Sequence, residues 1–299
     1  MTFRHPETKK QCSSYWMHTI CLSISLLTAC GPKNGHSNEQ PKFDERDAAA
    51  VEDAVLKSFR NSNVTATIRG TGIAFNLASL NDVNRIAHYA NLHNKGQTAA
   101  NFGIYLSDLK YLIAYDRRDE IIRYFDACLR LSDNTGIKKE FSQAVELRFD
   151  DITAGDEGLE TKIRQQIKDA TNTSKGEAFR NMHASALAGY YIEELYHLVT
   201  TLQTYKPDNA SNQVFFNLLS TLLDQKDELN NLISYFDHLQ MKPEGISAYQ
   251  ELLRIQMMYL SMDRVALLKE KDPSRVLQRE ELTDIFNAIV SIRGNIVNF

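Results

Sequence analysis

The sequence predicts an all-α fold, a multi-helix bundle built from antiparallel helical hairpins. The 299 residues contain only 13 glycines and 6 prolines, and no proline occurs between Pro41 and Pro207. Because glycine and proline mark turns, their scarcity favours long helices joined by short links. Apolar residues also recur at helical spacing along most of the chain. The formal net charge of −4 provides no basic field, so we expect no nucleic-acid partner.

The N-terminus has the pattern of an export signal. Basic residues at Arg4, Lys9 and Lys10 precede an apolar stretch over 15–27, which is shorter than the roughly 20 residues that span a bilayer. The stretch ends in Leu-Thr-Ala-Cys at 27–30, which resembles the lipobox of bacterial lipoproteins. That resemblance implies cleavage before Cys30 and lipidation of its thiol. An ordinary signal with a chance cysteine and an N-terminal helix are the alternatives.

Three segments follow from this prediction: a signal peptide over 1–29, a lipidated cysteine with a flexible tether over 30–43, and a single all-α domain over 44–299. The tether has a reach of roughly 20 Å as a coil. Residue 31 is Gly and not Asp, which by resemblance to proteobacterial sorting rules favours the outer membrane, facing either the periplasm or the outside.

Removal of residues 1–29 takes away three basic residues and one acidic residue, so the net charge becomes −6. Beyond the lipidated cysteine the mature chain has one thiol, Cys128, which excludes an intramolecular disulfide. Cys128 lies among apolar residues, and we expect it to be buried and inert.

The first predicted helix covers 44–61, where Val51, Val55 and Phe59 form one apolar stripe. Residues 64–68 alternate briefly and are interpreted as a connector. The clearest hairpin joins a helix over 98–115 to one that resumes at Ile121 and stops at Asn134-Thr135-Gly136. The other predicted helices cover 80–93, 138–152, 158–171, 182–205, 212–224, 227–240, 244–270 and 279–297.

Two features of the sequence predict how these helices are arranged. The helix over 182–205 is apolar on nearly every face, which predicts a central position in the bundle, and its Gly189 allows close approach of a neighbour. The corner at 116–126 also resembles the one at 224–237 in sequence. Internal duplication of a hairpin and convergent hairpin chemistry explain this equally well. The first hairpin looks weakly like a tetratricopeptide unit, but no 34-residue period recurs.

Several blocks resemble a family of uncharacterised lipoproteins from Bacteroidota. They are the stretch Asn-Phe-Gly-Ile-Tyr-Leu-Ser-Asp-Leu-Lys-Tyr at 101–111 with the helix at 116–137, Gly-Tyr-Tyr-Ile-Glu-Glu-Leu-Tyr at 189–196 and Asp-Glu-Leu-Asn-Asn-Leu-Ile at 227–233. The resemblance implies a helical domain on a lipid anchor, and it implies no activity.

Candidate site residues are charged or aromatic side chains within the two most apolar helices. Asp108 lies between Tyr105 and Tyr111, and Glu193 lies one turn before His197. A buried carboxylate needs a partner, so we expect Asp108 and Glu193 to share one buried polar network with tyrosines. Glu194-Leu-Tyr-His197 is also a Glu-x-x-His step, but a second such step, which di-iron bundles need, is absent. A self-satisfied polar cluster is therefore preferred over a metal site.

The chain lacks a phosphate-binding glycine loop, His-Glu-x-x-His, Gly-x-Ser-x-Gly and Cys-x-x-Cys. We therefore expect a non-enzymatic envelope lipoprotein without a cofactor, which contacts the membrane through its anchor and binds or scaffolds a protein partner. The alternative is a helical pocket protein that binds a small ligand or a metal near Asp108, Glu193 and His197. An enzyme without a recognisable motif is a third and weaker interpretation.

Overall fold

The fold is all-α over the part of the chain that the computed structural model describes, namely residues 62–90, 94–135, 177–205, 212–239 and 246–298. These residues belong to one compact unit. They form ten α-helices: α1 Val64–Gly70, α2 Ile86–Ala90, α3 Lys95–Ala114, α4 Arg118–Thr135, α5 Glu177–Thr204, α6 Asn212–His238, α7 Ile246–Ser261, α8 Arg264–Lys269, α9 Pro273–Leu277 and α10 Glu280–Val297. Single 3₁₀ turns cover Leu77–Ser79 and Val83–Arg85. The all-α prediction is confirmed.

Several predictions fall outside these described ranges. They are the signal peptide, Cys30 and its tether, the helices over 44–61, 138–152 and 158–171, and the helix stop at Gly136. They remain predictions of the sequence.

The centre of the bundle is a parallel pair of helices, α3 and α5. Contacts between them advance in the same direction along both helices: Gly96 lies near Ser185, Gly103 near Ala186, Lys110 near Tyr190 and Tyr111 near His197. The α5 side chains from Ala184 to Leu202 are buried almost without interruption. The central position predicted for this helix is therefore confirmed.

The remaining long helices pack around this pair. Helix α4 folds back on α3 after the short link 115–117, in which Asp116 adopts a left-handed φ of 53° and so ends α3. Helix α6 runs antiparallel to α5, with Tyr205 beside Phe215 at one end and His183 beside Tyr235 at the other. Helix α7 packs against α6, and α10 packs against α5, α7 and α3.

The predicted hairpin over 212–240 is wrong, because α6 is one continuous helix of 27 residues. The segment Asp224–Asp227 has no glycine or proline, and Gln225 is buried with its carbonyl bound by the Tyr191 hydroxyl at 3.0 Å. Helices in proteins gain most of their stability from tertiary packing, and α6 packs along α5, which is 28 residues long. The sequence likeness to the corner at 116–126 therefore does not reflect a second hairpin.

Two further corrections concern helix ends. The predicted helix over 244–270 is interrupted at Met262–Asp263, because the Asp263 carboxylate accepts a hydrogen bond from the Ala266 amide at 2.9 Å and starts α8. Residues 64–68, which we interpreted as a connector, lie in α1. There Val64 and Ile68 are one helical turn apart and both fully buried.

The segment Ile73–Asp82, which we call the strap, replaces the first part of the helix expected over 80–93. A polar cap starts the 3₁₀ turn within the strap, where the Asn76 side chain accepts a hydrogen bond from the Ala78 amide. A second cap starts the 3₁₀ turn directly after it, where the Asp82 side chain accepts from the Asn84 amide. Regular helix begins only at Ile86.

The close approach of α3 and α5 depends on two glycines. A Cβ atom at Gly103 would lie 1.8 Å from the Ala186 carbonyl oxygen, and one at Gly189 would lie 1.9 Å from the Ala100 carbonyl oxygen. Both obstacles are backbone atoms, which cannot rotate away as a side chain can. The two backbones therefore touch at this crossing.

Replacement of either glycine by alanine is expected to destabilise the fold by about 3 kcal/mol or more, at the upper end for overpacked cores. Urea unfolding followed by circular dichroism measures the change. Gly294→Ala is the matched control, since the nearest atom to its added Cβ is the Asn298 side-chain nitrogen at 3.7 Å. At this partly exposed helical position the control is expected to be neutral or up to about 1 kcal/mol more stable. Equal effects at Gly103, Gly189 and Gly294 would contradict the close crossing.

Candidate functional site

A buried polar cluster lies one to two turns beyond the glycine crossing of α3 and α5. Asp108 comes from α3, while Glu193 and His197 come from successive turns of α5. Asp108 and Glu193 are 0% exposed and His197 is 2% exposed. The Asp108 Oδ1 atom lies 3.1 Å from His197 Nε2, and Glu193 Oε1 lies 3.9 Å from the same nitrogen. The structure thus brings together three of the five residues singled out from the sequence.

The other carboxylate oxygen of Asp108 is held by the strap. Its Oδ2 atom accepts hydrogen bonds from the Asn81 amide at 3.0 Å and from the Asn81 side-chain nitrogen at 3.1 Å. These bonds fix the orientation of the carboxyl group and leave Oδ1 turned toward His197.

Glu193 has a cationic partner, Arg293 of α10. The guanidinium donates from Nε to Oε2 at 2.7 Å and from Nη2 to Oε1 at 2.9 Å, a bidentate geometry. It also donates to the Ser79 carbonyl of the strap and lies 3.9 Å from the Tyr196 ring centre. Arg293 therefore ties α10, α5 and the strap together at the cluster.

The two tyrosines singled out from the sequence border the cluster but bind elsewhere. The Tyr111 ring stacks on the His197 ring, with centroids 4.5 Å apart and planes 8° apart, while its hydroxyl accepts from the Asn76 amide at 3.4 Å. The Tyr105 hydroxyl donates to the Asp82 carbonyl at 2.7 Å. Asp108 and Glu193 therefore share a cluster with His197, and the hydroxyls of these two tyrosines bind the backbone of the strap.

Glu194 and His197, the two ends of the Glu-x-x-His step, do not bind each other, because the Glu194 carboxylate binds other side chains. Its carboxylate accepts from Lys110 Nζ at 2.7 Å, from the Ser62 hydroxyl at 2.7 Å and from the Tyr190 hydroxyl at 3.0 Å. Residues 193 and 194 are adjacent and so face about 100° apart around the helix. It is Glu193, four residues before His197, that shares its face.

Burial sets the protonation of the cluster. Desolvation raises the pKa of Asp108 to about 7, against the Asn81 hydrogen bonds, which lower it. Desolvation and then the Asp108 charge raise the pKa of Glu193 to about 7, against Arg293. Desolvation lowers the pKa of His197 to about 4, so its imidazole is neutral at pH 7. Near pH 7 the two carboxyl groups are therefore partly protonated, whereas the imidazole of His197 is uncharged.

Polar atoms of the cluster lack hydrogen-bond partners. Asp108 Oδ1 and His197 Nε2 are close, but they are not aligned for a hydrogen bond, and His197 Nδ1 has no partner either. One oxygen of each carboxylate and one nitrogen of the imidazole lie within 4.8 Å of one another. Within the described ranges, these three residues are the ones whose ligand atoms converge in this way.

Arg293, Asn81 and Lys110 were not singled out from the sequence. Arg293 had a usable signal, since it lies four residues after Ile289 and three before Ile296, on the buried stripe of α10. A cation on an apolar stripe needs an anionic partner. Asn81 had no such signal, because its role depends on the path of the strap.

Cys128 is fully buried in α4, and burial raises the pKa of its thiol far above the ordinary value. No helix in the described part of the chain combines the length and apolar character needed to cross a bilayer.

Replacement of Arg293 by alanine is expected to destabilise the fold by about 3–5 kcal/mol at pH 8, because it leaves the fully buried Glu193 carboxylate without its cation. The free energy of unfolding from urea titration measures this. Arg264→Ala is the control, since the pair of Arg264 with Asp224 is about half exposed and worth at most about 1 kcal/mol. A loss at Arg293 no larger than the loss at Arg264 would show that the buried pair contributes nothing special.

Glu228 of α6 gives a pH-dependent prediction. Desolvation, and then the charge of Glu194, raise its pKa to about 8 against Lys110, and its Oε2 atom has no hydrogen-bond partner. Since the folded pKa is above the unfolded value of 4.5, the contribution of this group to stability is fully present below pH 4.5 and is lost progressively as the pH rises to about 8. Glu228→Gln is therefore expected to match the wild type in melting temperature at pH 5 and to exceed it at pH 9. A variant that is less stable than the wild type at pH 9 would contradict the shift.

No protein-family model matches the sequence, and no curated protein or solved structure matches it significantly. The family resemblance and the lipoprotein signal therefore remain predictions of the sequence.

Proposed function

We propose that this protein is a lipid-anchored lipoprotein of the bacterial envelope whose helical body is a non-enzymatic binding or scaffold protein. Cys30 carries the lipid, residues 31–43 are the tether, and Gly31 favours the outer membrane. The body binds its ligand at the cluster of Asp108, Glu193 and His197.

The observation that supports a binding role is the buried cluster itself. Two carboxylates and an imidazole with almost no exposure lie at the centre of a bundle that apolar packing would otherwise hold. A buried group of charged side chains often stabilises a fold no more than apolar side chains of the same volume would. Perturbed ionisable groups that converge in a fold are enriched at functional sites. A function at this position explains why the chain retains them.

Binding is favoured over turnover for two reasons. The convergent atoms are inaccessible in this conformation, which suits a ligand that stays bound better than a substrate that exchanges at every cycle. The Cys128 thiol, buried and with a raised pKa, is also unsuited to attack a substrate.

The anchor is tested by labelling cells that express the full chain with an alkyne fatty acid. We expect label on the wild type, recovery in the detergent phase and co-sedimentation with outer membranes. Cys30→Ala is expected to abolish the label, because its thiol is the proposed lipid acceptor. Cys21→Ala is the matched control, since residue 21 lies in the segment that is removed and is expected to leave labelling intact. Retained label on the Cys30 variant would overturn the proposal.

A further inference from the structure

We infer that Asp108, Glu193 and His197 bind one divalent first-row transition metal ion, with zinc as the test ion. The inference names the ligand of the binding role proposed above and rests on that role. It uses a site that combines residues from two helices and is closed by the strap and α10.

The spacing of the three side chains fits a single ion. Two ligand atoms that bind zinc at about 2.1 Å lie about 3.0–3.4 Å apart at tetrahedral or octahedral angles. Asp108 Oδ1 and His197 Nε2 are already 3.1 Å apart. Glu193 Oε1 is 3.9 Å from the same nitrogen, so it must approach by about half an ångström or more to join the set, and the ligand atoms of all three residues already lie within 4.8 Å of one another.

The unpartnered atoms point to the same conclusion independently. Asp108 Oδ1 and His197 Nε2 are buried and face each other, yet they make no hydrogen bond. Buried polar atoms without a hydrogen-bond partner destabilise a fold and are few in native structures, and two of them in contact are unusual. One cation between them would satisfy both atoms at once, with Asp108 ionised and with the imidazole in the tautomer that carries its proton on Nδ1.

The donor set selects the class of metal. Two carboxylate oxygens and one imidazole nitrogen suit zinc, iron or manganese, whereas magnesium and calcium take oxygen ligands. Three protein ligands leave a coordination position for water or a second ligand. Cys128 offers no donor to this group.

Outer partners already hold the carboxylates in place. Asn81 binds the Asp108 oxygen that faces away from His197, and Arg293 binds Glu193 through both oxygens, most closely at Oε2. Such second contacts orient metal ligands and account for roughly 10–100-fold in affinity in known sites. A bound ion would take Glu193 Oε1, and Arg293 would keep its closer hydrogen bond to Oε2.

The test uses the full chain, purified in detergent, stripped with a chelator and titrated with Zn²⁺ and Co²⁺. We expect one ion per folded chain by elemental analysis and calorimetry, and a melting temperature that rises with zinc. Asp108→Asn and His197→Gln are expected to weaken binding by more than about 100-fold, beyond the loss of an outer partner.

Glu194→Gln is the matched control, because this adjacent carboxylate faces Lys110 and is expected to leave affinity within about threefold. His88→Gln, at an exposed position, controls for adventitious surface binding. Loss of the ion in the His88 variant, or full binding in a folded Asp108→Asn variant, overturns the inference.

If neither ligand variant folds, metal binding by the wild-type protein tests the inference. A stoichiometric Co²⁺ complex whose visible bands lack thiolate charge transfer supports the site, and failure of the folded wild type to bind Zn²⁺ or Co²⁺ overturns it. The lipid anchor is scored separately by fatty-acid labelling at Cys30. Failure of the metal site is therefore distinguishable from failure of the proposed envelope location.

Discussion

The contact of two helix backbones at Gly103 and Gly189 is the constraint on which the described structure depends. Because α3 and α5 run parallel, residues beyond the crossing on one helix meet residues equally far along the other. The short distance between the axes lets side chains as short as Asp108 reach across to α5. Larger residues at the crossing would separate the helices by more than an aspartate can span. The packing of two glycines therefore determines the chemistry of the cluster one to two turns away.

Much of the fold was accessible from the sequence because burial leaves a periodic trace. Apolar residues on every face of 182–205 indicated a central helix, and α5 occupies that position. The ends of helices were harder, because similar tetrapeptides behave differently. Asp116 adopts a left-handed conformation and reverses the chain, whereas Asp224 begins a stretch that continues as helix. The long packed partner α5 makes the difference, and its proximity to α6 is a tertiary fact.

The site was partly accessible for a related reason. A charge in an apolar helix is conspicuous, so Asp108, Glu193 and His197 stood out before their proximity was known. The sequence predicted that Asp108 and Glu193 share one buried network with tyrosines, but it did not show that the Tyr105 and Tyr111 hydroxyls lie away from the carboxylates. The hydroxyls bind the strap instead, because backbone amides and carbonyls of an irregular segment need partners that a helix would have supplied. Arg293 comes from a helix 100 residues away, and only the fold brings it to Glu193.

The strap connects the buried cluster to the surface of the molecule. One carboxylate, that of Asp108, faces His197 with one oxygen and secures Asn81 with the other. The same segment exposes Leu77 to solvent at its 3₁₀ turn. A ligand that orders Asp108 would also stabilise the strap through Asn81, and by thermodynamic linkage a substitution that destabilises the strap would weaken that ligand by the same coupling free energy.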